Sequence, residues 1–135
     1  MHVFYSKAYE TMARLHDASK GSFKRPLHTK LTPEEFAKYF AQFCARTYMD
    51  EVLEFDSLHF TEYMKKVLKT ADPEHRNILP RAFLLDLTEN LCIMYSEGER
   101  YYFIHRSFQE YFTAVYFASE YDTNLVKVGN YFEIF

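Results

Sequence analysis

The side chains of this chain best suited to chemistry are six histidines and two cysteines, and their spacing limits what they can do. The histidines stand at positions 2, 16, 28, 59, 75 and 105. No two are four residues apart, so no helix turn offers a histidine pair to a metal ion. His16 and Asp17 are neighbours, which on a helix turns their side chains about 100° apart and prevents a base–carboxylate pairing. Cys44 and Cys92 have no CxxC partner and lie in apolar patterns, so both read as reduced core thiols. His105 stands out, because it separates an aromatic run from a helix-start pattern in Tyr101-Tyr102-Phe103-Ile104-His105-Arg106-Ser107-Phe108-Gln109-Glu110. A helix start carries free N–H groups and the positive end of the helix dipole. Imidazole can add a hydrogen bond from either ring nitrogen, so the chemistry indicated at His105 is phosphate binding. The plainer alternative is a histidine that only satisfies the helix end.

Such a histidine has to be positioned by the elements on either side. Met94 and Tyr95 end one β-prone run and Arg100 to His105 form another, with Ser96-Glu97-Gly98-Glu99 between them as a hairpin turn. On the second strand Tyr101, Phe103 and His105 face one way, and Tyr102 and Ile104 the other. Ser107 and Glu110 form a capping box opening a last helix to about Tyr121. Because a lone hairpin is unstable, it must pack on helices, and the preceding sequence supplies them. Phe4, Ala8, Met12 and Leu15 mark a first helix, followed by a loop over residues 17–30. Thr32-Pro33-Glu34-Glu35 caps a second, with Phe36, Phe40, Phe43, Cys44 and Thr47 inward. Asp56 or Ser57 caps a third, which buries Phe60, Met64, Val67 and Leu68 and stops before Asp72-Pro73. After a short turn, Pro80 opens a fourth helix to about Asn90, with Phe83, Leu84, Leu87 and Leu91 inward. The fold class expected is mainly α: a helical bundle ending in a winged-helix-like helix–hairpin–helix unit. The divisions expected are a helical part at 1–72, the winged-helix-like unit at 73–121, and a linker or next domain from 122 to 135.

Composition agrees with this frame. In 135 residues, 48% are hydrophobic and 19% aromatic, enough to bury a real core, whereas 3 glycines and 4 prolines leave little turn material. The net charge of -3 exerts no global pull toward nucleic acid or anionic membrane. No apolar run reaches the roughly 18 residues that span a bilayer, and no signal peptide opens the chain, so a cytoplasmic location is expected.

Phe103-Ile104-His105-Arg106-Ser107-Phe108-Gln109-Glu110-Tyr111-Phe112, with Ala114 behind it, resembles the F-x-H-x-S-F-Q-E-[YF]-x-A-A signature of NACHT-family STAND NTPases, which include the NOD-like receptors. The N-terminal FYSKAYETMARLHDASKG is more loosely similar to the first helix behind the NTPase core of that family. The resemblance implies a regulatory winged-helix region in which His105 contacts the β-phosphate of ADP and holds a closed state. It implies a parent protein that binds ADP or ATP with Mg, oligomerises, and signals, as in bacterial defence. No G-x-x-x-x-G-K-[ST] occurs in this chain, so no phosphate loop is present and the chain itself is expected not to be an enzyme. Its main partner would be the NTPase core of the same polypeptide, and the apolar YFEIF ending suggests that a further domain follows. Ser107, Gln109 and Glu110 are expected to serve only as cap and helix start. Two other readings stand beside this one. A plain protein-interaction module would need no nucleotide. A DNA-binding winged helix could use Lys20, Lys24, Arg25, His28 and Lys30 or Lys65, Lys66 and Lys69, but Glu110 and Glu120 on the last helix argue against a nucleic-acid partner.

Overall fold

Thr32 starts the first described helix as its residue types require. Its hydroxyl accepts the Glu35 N–H at 3.2 Å, and the Glu35 carboxylate accepts the Thr32 N–H at 2.9 Å, while Pro33 sits where no N–H is needed. The structure, a computed structural model, describes residues 27–123. The expected helix at Phe4–Leu15 and most of the loop behind it lie outside those residues, as does the tail beyond 123.

The elements are α1 (Pro33–Met49), β1 (Glu54–Asp56), α2 (Ser57–Lys69), α3 (Pro80–Leu85), β2 (Met94–Glu97), β3 (Arg100–Phe103) and α4 (Arg106–Thr123). A 3-10 turn at Pro73–His75 precedes α3, and a π-helical turn at Asp86–Asn90 prolongs it. The fold is thus mainly helical with a small antiparallel sheet, as expected. Of the two caps considered for α2, Asp56 serves, accepting the His59 N–H at 2.7 Å.

The sheet has three strands in the order β1-β3-β2, one more than the hairpin anticipated. Glu54-Phe55-Asp56 pairs antiparallel with Tyr102-Tyr101-Arg100. Three residues are too short to show a period of two, so sequence had presented this stretch only as a helix start. The hairpin turn is also tighter than expected. Glu97 pairs with Arg100, leaving Gly98-Glu99 as a two-residue connection with Gly98 at φ +65°.

A single cluster of buried apolar residues runs from Leu27 to Phe112 and includes side chains from both sides of position 72. Its centre is aromatic. The Phe40 ring lies 4.9 Å from Phe112, Phe43 lies 4.9 Å from Phe60 and 5.4 Å from Phe55, and Phe36 lies 5.5 Å from Phe83. α1 runs through the middle and packs most extensively on α4. Spacing had placed the buried stripe of α1 correctly.

Candidate functional site

The motif Phe103–Phe112 divides cleanly between interior and surface. Phe103, Ser107, Phe108, Gln109 and Phe112 are buried, whereas Ile104, His105 and Arg106 are exposed. β3 ends at Phe103, two residues short of the expected His105, and the Ile104 N–H makes one last bond in register with the hairpin, to the Ile93 carbonyl at 2.8 Å. His105 is therefore outside the strand, and its carbonyl accepts the Phe108 N–H at 3.0 Å, extending the first turn of α4 back to Arg106. The imidazole is carried on the surface immediately before an 18-residue helix. The positive end of that helix dipole makes the neighbourhood favourable to an anion.

The expected capping box at Ser107–Glu110 does not form. Since the helix starts at Arg106, Ser107 lies inside the first turn, and its hydroxyl is buried with no hydrogen-bond partner among the described residues. Glu110 pairs instead with Arg106 one turn earlier, at 3.4 Å.

Gln109 has a role that its sequence context hid. Its amide is 2% exposed and donates to the Thr47 hydroxyl at 2.9 Å and the Val52 carbonyl at 2.8 Å. Those acceptors exist because of how α1 ends. Glu51 takes a left-handed φ of +59°, its N–H returns to the Tyr48 carbonyl, and the Val52 N–H returns to the Thr47 carbonyl at 2.9 Å. This is the paired closure in which glycine is the usual left-handed residue. The Val52 carbonyl, left outside the helix by that closure, is what the Gln109 amide satisfies. Gln109 thus bolts the start of α4 to the end of α1, some 60 residues away in sequence. Beside it Tyr48, Met49, Glu51, Leu53, Arg106, Gln109 and Glu110 line an open cavity of about 450 Å³.

Two further polar groups went unread. Asp86 is fully buried, and its carboxylate accepts the His28 N–H at 2.7 Å, the Thr29 N–H at 3.0 Å and the Asn90 side-chain amide at 2.7 Å. It ties the segment entering α1 to the π-helical turn, and three donors are what a buried carboxylate requires. Around His75, the Asp72 N–H meets the Tyr39 hydroxyl at 3.4 Å, that hydroxyl meets His75 Nδ1 at 2.6 Å, and His75 Nε2 lies 3.5 Å from Glu35. Glu35 only accepts, and the Thr32 N–H bonded to it holds its carboxyl below the usual range. Glu35, Glu74 and His75 offer ligand atoms within 4.8 Å of one another, a set that a divalent cation could use. Hydrogen bonding already accounts for it as a brace holding the 3-10 turn on α1.

The cysteines separate. Cys44 is buried in α1 as expected, and burial pushes its thiol well above the ordinary value. Cys92 is exposed, contrary to expectation. It closes the π-helical turn with a left-handed φ of +54°, which takes its side chain out of the apolar pattern around it. The basic residues Lys65, Lys66 and Lys69 lie exposed along the second half of α2. In a helix–turn–helix arrangement the element facing DNA would be α3 rather than α4, and its exposed charges are Arg81 and, in the π turn, Glu89. No described helix is long and apolar enough to cross a membrane. Comparison with protein-family models, with curated proteins and with solved structures gave no match to this chain.

Proposed function

We propose that this chain is the regulatory arm of a NACHT-type signalling ATPase, sensing bound nucleotide through His105 and performing no catalysis itself. The observation that supports this reading is the split in the motif. Its apolar and amide members build the joint between α1 and α4, and His105 is held outside that joint at the start of a long helix. In a closed parent protein, the imidazole donates a hydrogen bond to the β-phosphate of ADP lying on the NTPase core, with the α4 dipole adding attraction. The parent's phosphate loop and Mg would hold the rest of the nucleotide. Exchange of ADP for ATP removes that contact, frees the arm and permits assembly of the open form.

The test pairs two measurements on His105→Ala. In this chain the change should cost less than about 1.5 kcal/mol in thermal or urea unfolding, since the side chain is exposed. In the full-length parent it removes a charge-assisted hydrogen bond worth about 1.5–3 kcal/mol and should speed ADP release roughly ten- to a hundredfold. Unchanged ADP retention with a large loss of fold stability would make the histidine structural. A second reading, a protein-interaction module that senses no nucleotide, is favoured by the exposed Tyr48, Met49 and Leu53 around the cavity beside α4. It predicts that substituting those three side chains, and not His105, abolishes signalling.

A further inference from the structure

On the face formed by α2 and the turn into α3, a second cleft of about 680 Å³ opens, lined by Lys65, Lys66, Leu68, Lys69, Arg76, Asn77, Ile78, Leu79 and Pro80. We propose that this cleft is a docking site for an acidic protein segment that carries an apolar anchor residue.

The charge distribution comes first. Four cations border the cleft and no carboxylate lines it, in a chain whose net charge is -3. Among the described residues none of the four has an ion-pair partner within 4 Å. Two acidic side chains close by in sequence are turned elsewhere. Asp72 and Glu74 lie 3.9 and 3.8 Å from His75, in the brace against α1. Like charges crowded without counter-charge raise the local potential and favour an anionic partner. Lys66 and Lys69 also suit the C-terminal end of the α2 dipole, but Arg76 lies beyond the helix and gains nothing from it.

The floor of the cleft selects the class of anion. Leu68, Ile78 and Leu79 form it, and Leu79 is 69% exposed. Leu79 also occupies the N-cap of α3 and makes no capping hydrogen bond. A serine or aspartate at that position would stabilise α3 by about 1 kcal/mol, so helix stability does not explain an exposed leucine there. A phosphodiester backbone would pair with the cations and leave this apolar floor wet. An acidic peptide with a leucine-like side chain covers both parts, the anchor on Ile78 and Leu79 and the carboxylates on the rim. The inference is independent of the role given to His105.

An array of Glu/Asp-rich peptides bearing a leucine pair at varied spacing, probed with the intact chain, tests it, followed by fluorescence anisotropy on the tightest peptide. Saturable binding that weakens with added salt is expected. Lys66→Glu with Lys69→Glu should lower affinity about tenfold or more. Leu79→Ser should also lower affinity while leaving the salt dependence unchanged. All three positions are exposed, and circular dichroism of each variant checks that the fold is retained. The proposal is overturned by binding no tighter than to leucine-free acidic peptides, by affinity indifferent to the lysine reversals, or by a labelled DNA duplex binding more tightly than any peptide.

Discussion

The starts of α1 and α4 carry the same four-residue pattern, a hydroxyl residue followed three positions later by a glutamate, and they fold differently. At α1, Thr32 and Glu35 satisfy each other's backbone N–H groups, and the helix begins where the pattern puts it. At α4 the helix begins one residue before Ser107, whose hydroxyl becomes a buried group without a partner. The difference lies in what each start is attached to. At α1 the core agrees with the cap: Leu31, Pro33 and Phe36 are buried while Thr32 stays exposed, so packing and local hydrogen bonding set the same helix phase. The first turn of α4 is pinned by Phe108 in the core and by Gln109 on Thr47 and Val52. Those contacts are worth more than one cap and set the helix phase. Local chemistry therefore governs a helix end only where tertiary packing asks for the same phase.

The most severe way to break the α4 joint is to empty it. Phe112 is buried against Phe40, so Phe112→Ala should cost about 3–5 kcal/mol in urea unfolding, and Phe108→Ala should approach that range. Gln109→Ala comes next. It strands the Val52 carbonyl and the Thr47 hydroxyl's lone pair, and should cost about 1–3 kcal/mol. A loss no greater than that of an exposed substitution would remove the bolt from this account.

The two hydroxyl residues give the sharpest contrast at smaller scale. Thr32→Ala should lower stability by about 1 kcal/mol, because a cap is lost. Ser107→Ala should be neutral or stabilising, because the hydroxyl it removes is buried and unpaired. Equal costs for the two would mean that Ser107 caps α4 after all. The smallest effect is electrostatic. Hydrogen bonding to the Thr32 N–H depresses the Glu35 carboxyl in the folded state. Its contribution is therefore complete above the ordinary value of 4.5 and disappears as pH falls through the lower folded value. Melting temperature should drop below about pH 4.5, and Glu35→Gln should flatten part of that slope.

Helix existence was legible from spacing alone. The stripes Phe36-Phe40-Phe43-Cys44-Thr47 and Phe60-Met64-Val67-Leu68 are buried as a period of 3.6 demands, and Pro33 and Asp56 mark the starts they should. The hairpin was legible as well, because Gly98 can take the positive φ its turn needs. For the candidate site, sequence supplied His105 and its position before a helix. It could not supply where the ladder stops: the last bond in register is Ile104 N–H to the Ile93 carbonyl, which leaves His105 as the connection between hairpin and α4.

What sequence by itself determined here are the features that rest on neighbours along the chain: amphipathic period, caps and a two-residue turn, each an interaction spanning four residues or fewer. Only the tertiary structure decided the features in which distant segments compete for the same groups. β1 exists because β3 offers it an edge, Cys92 is exposed because a π-helical turn closes on it, and Asp86 is buried because His28 and Thr29 bring it donors. Gln109 belongs with them. Its amide reads as a polar residue in a helix start until the left-handed Glu51 leaves a carbonyl at Val52, and no local rule specifies a partner nearly 60 residues away.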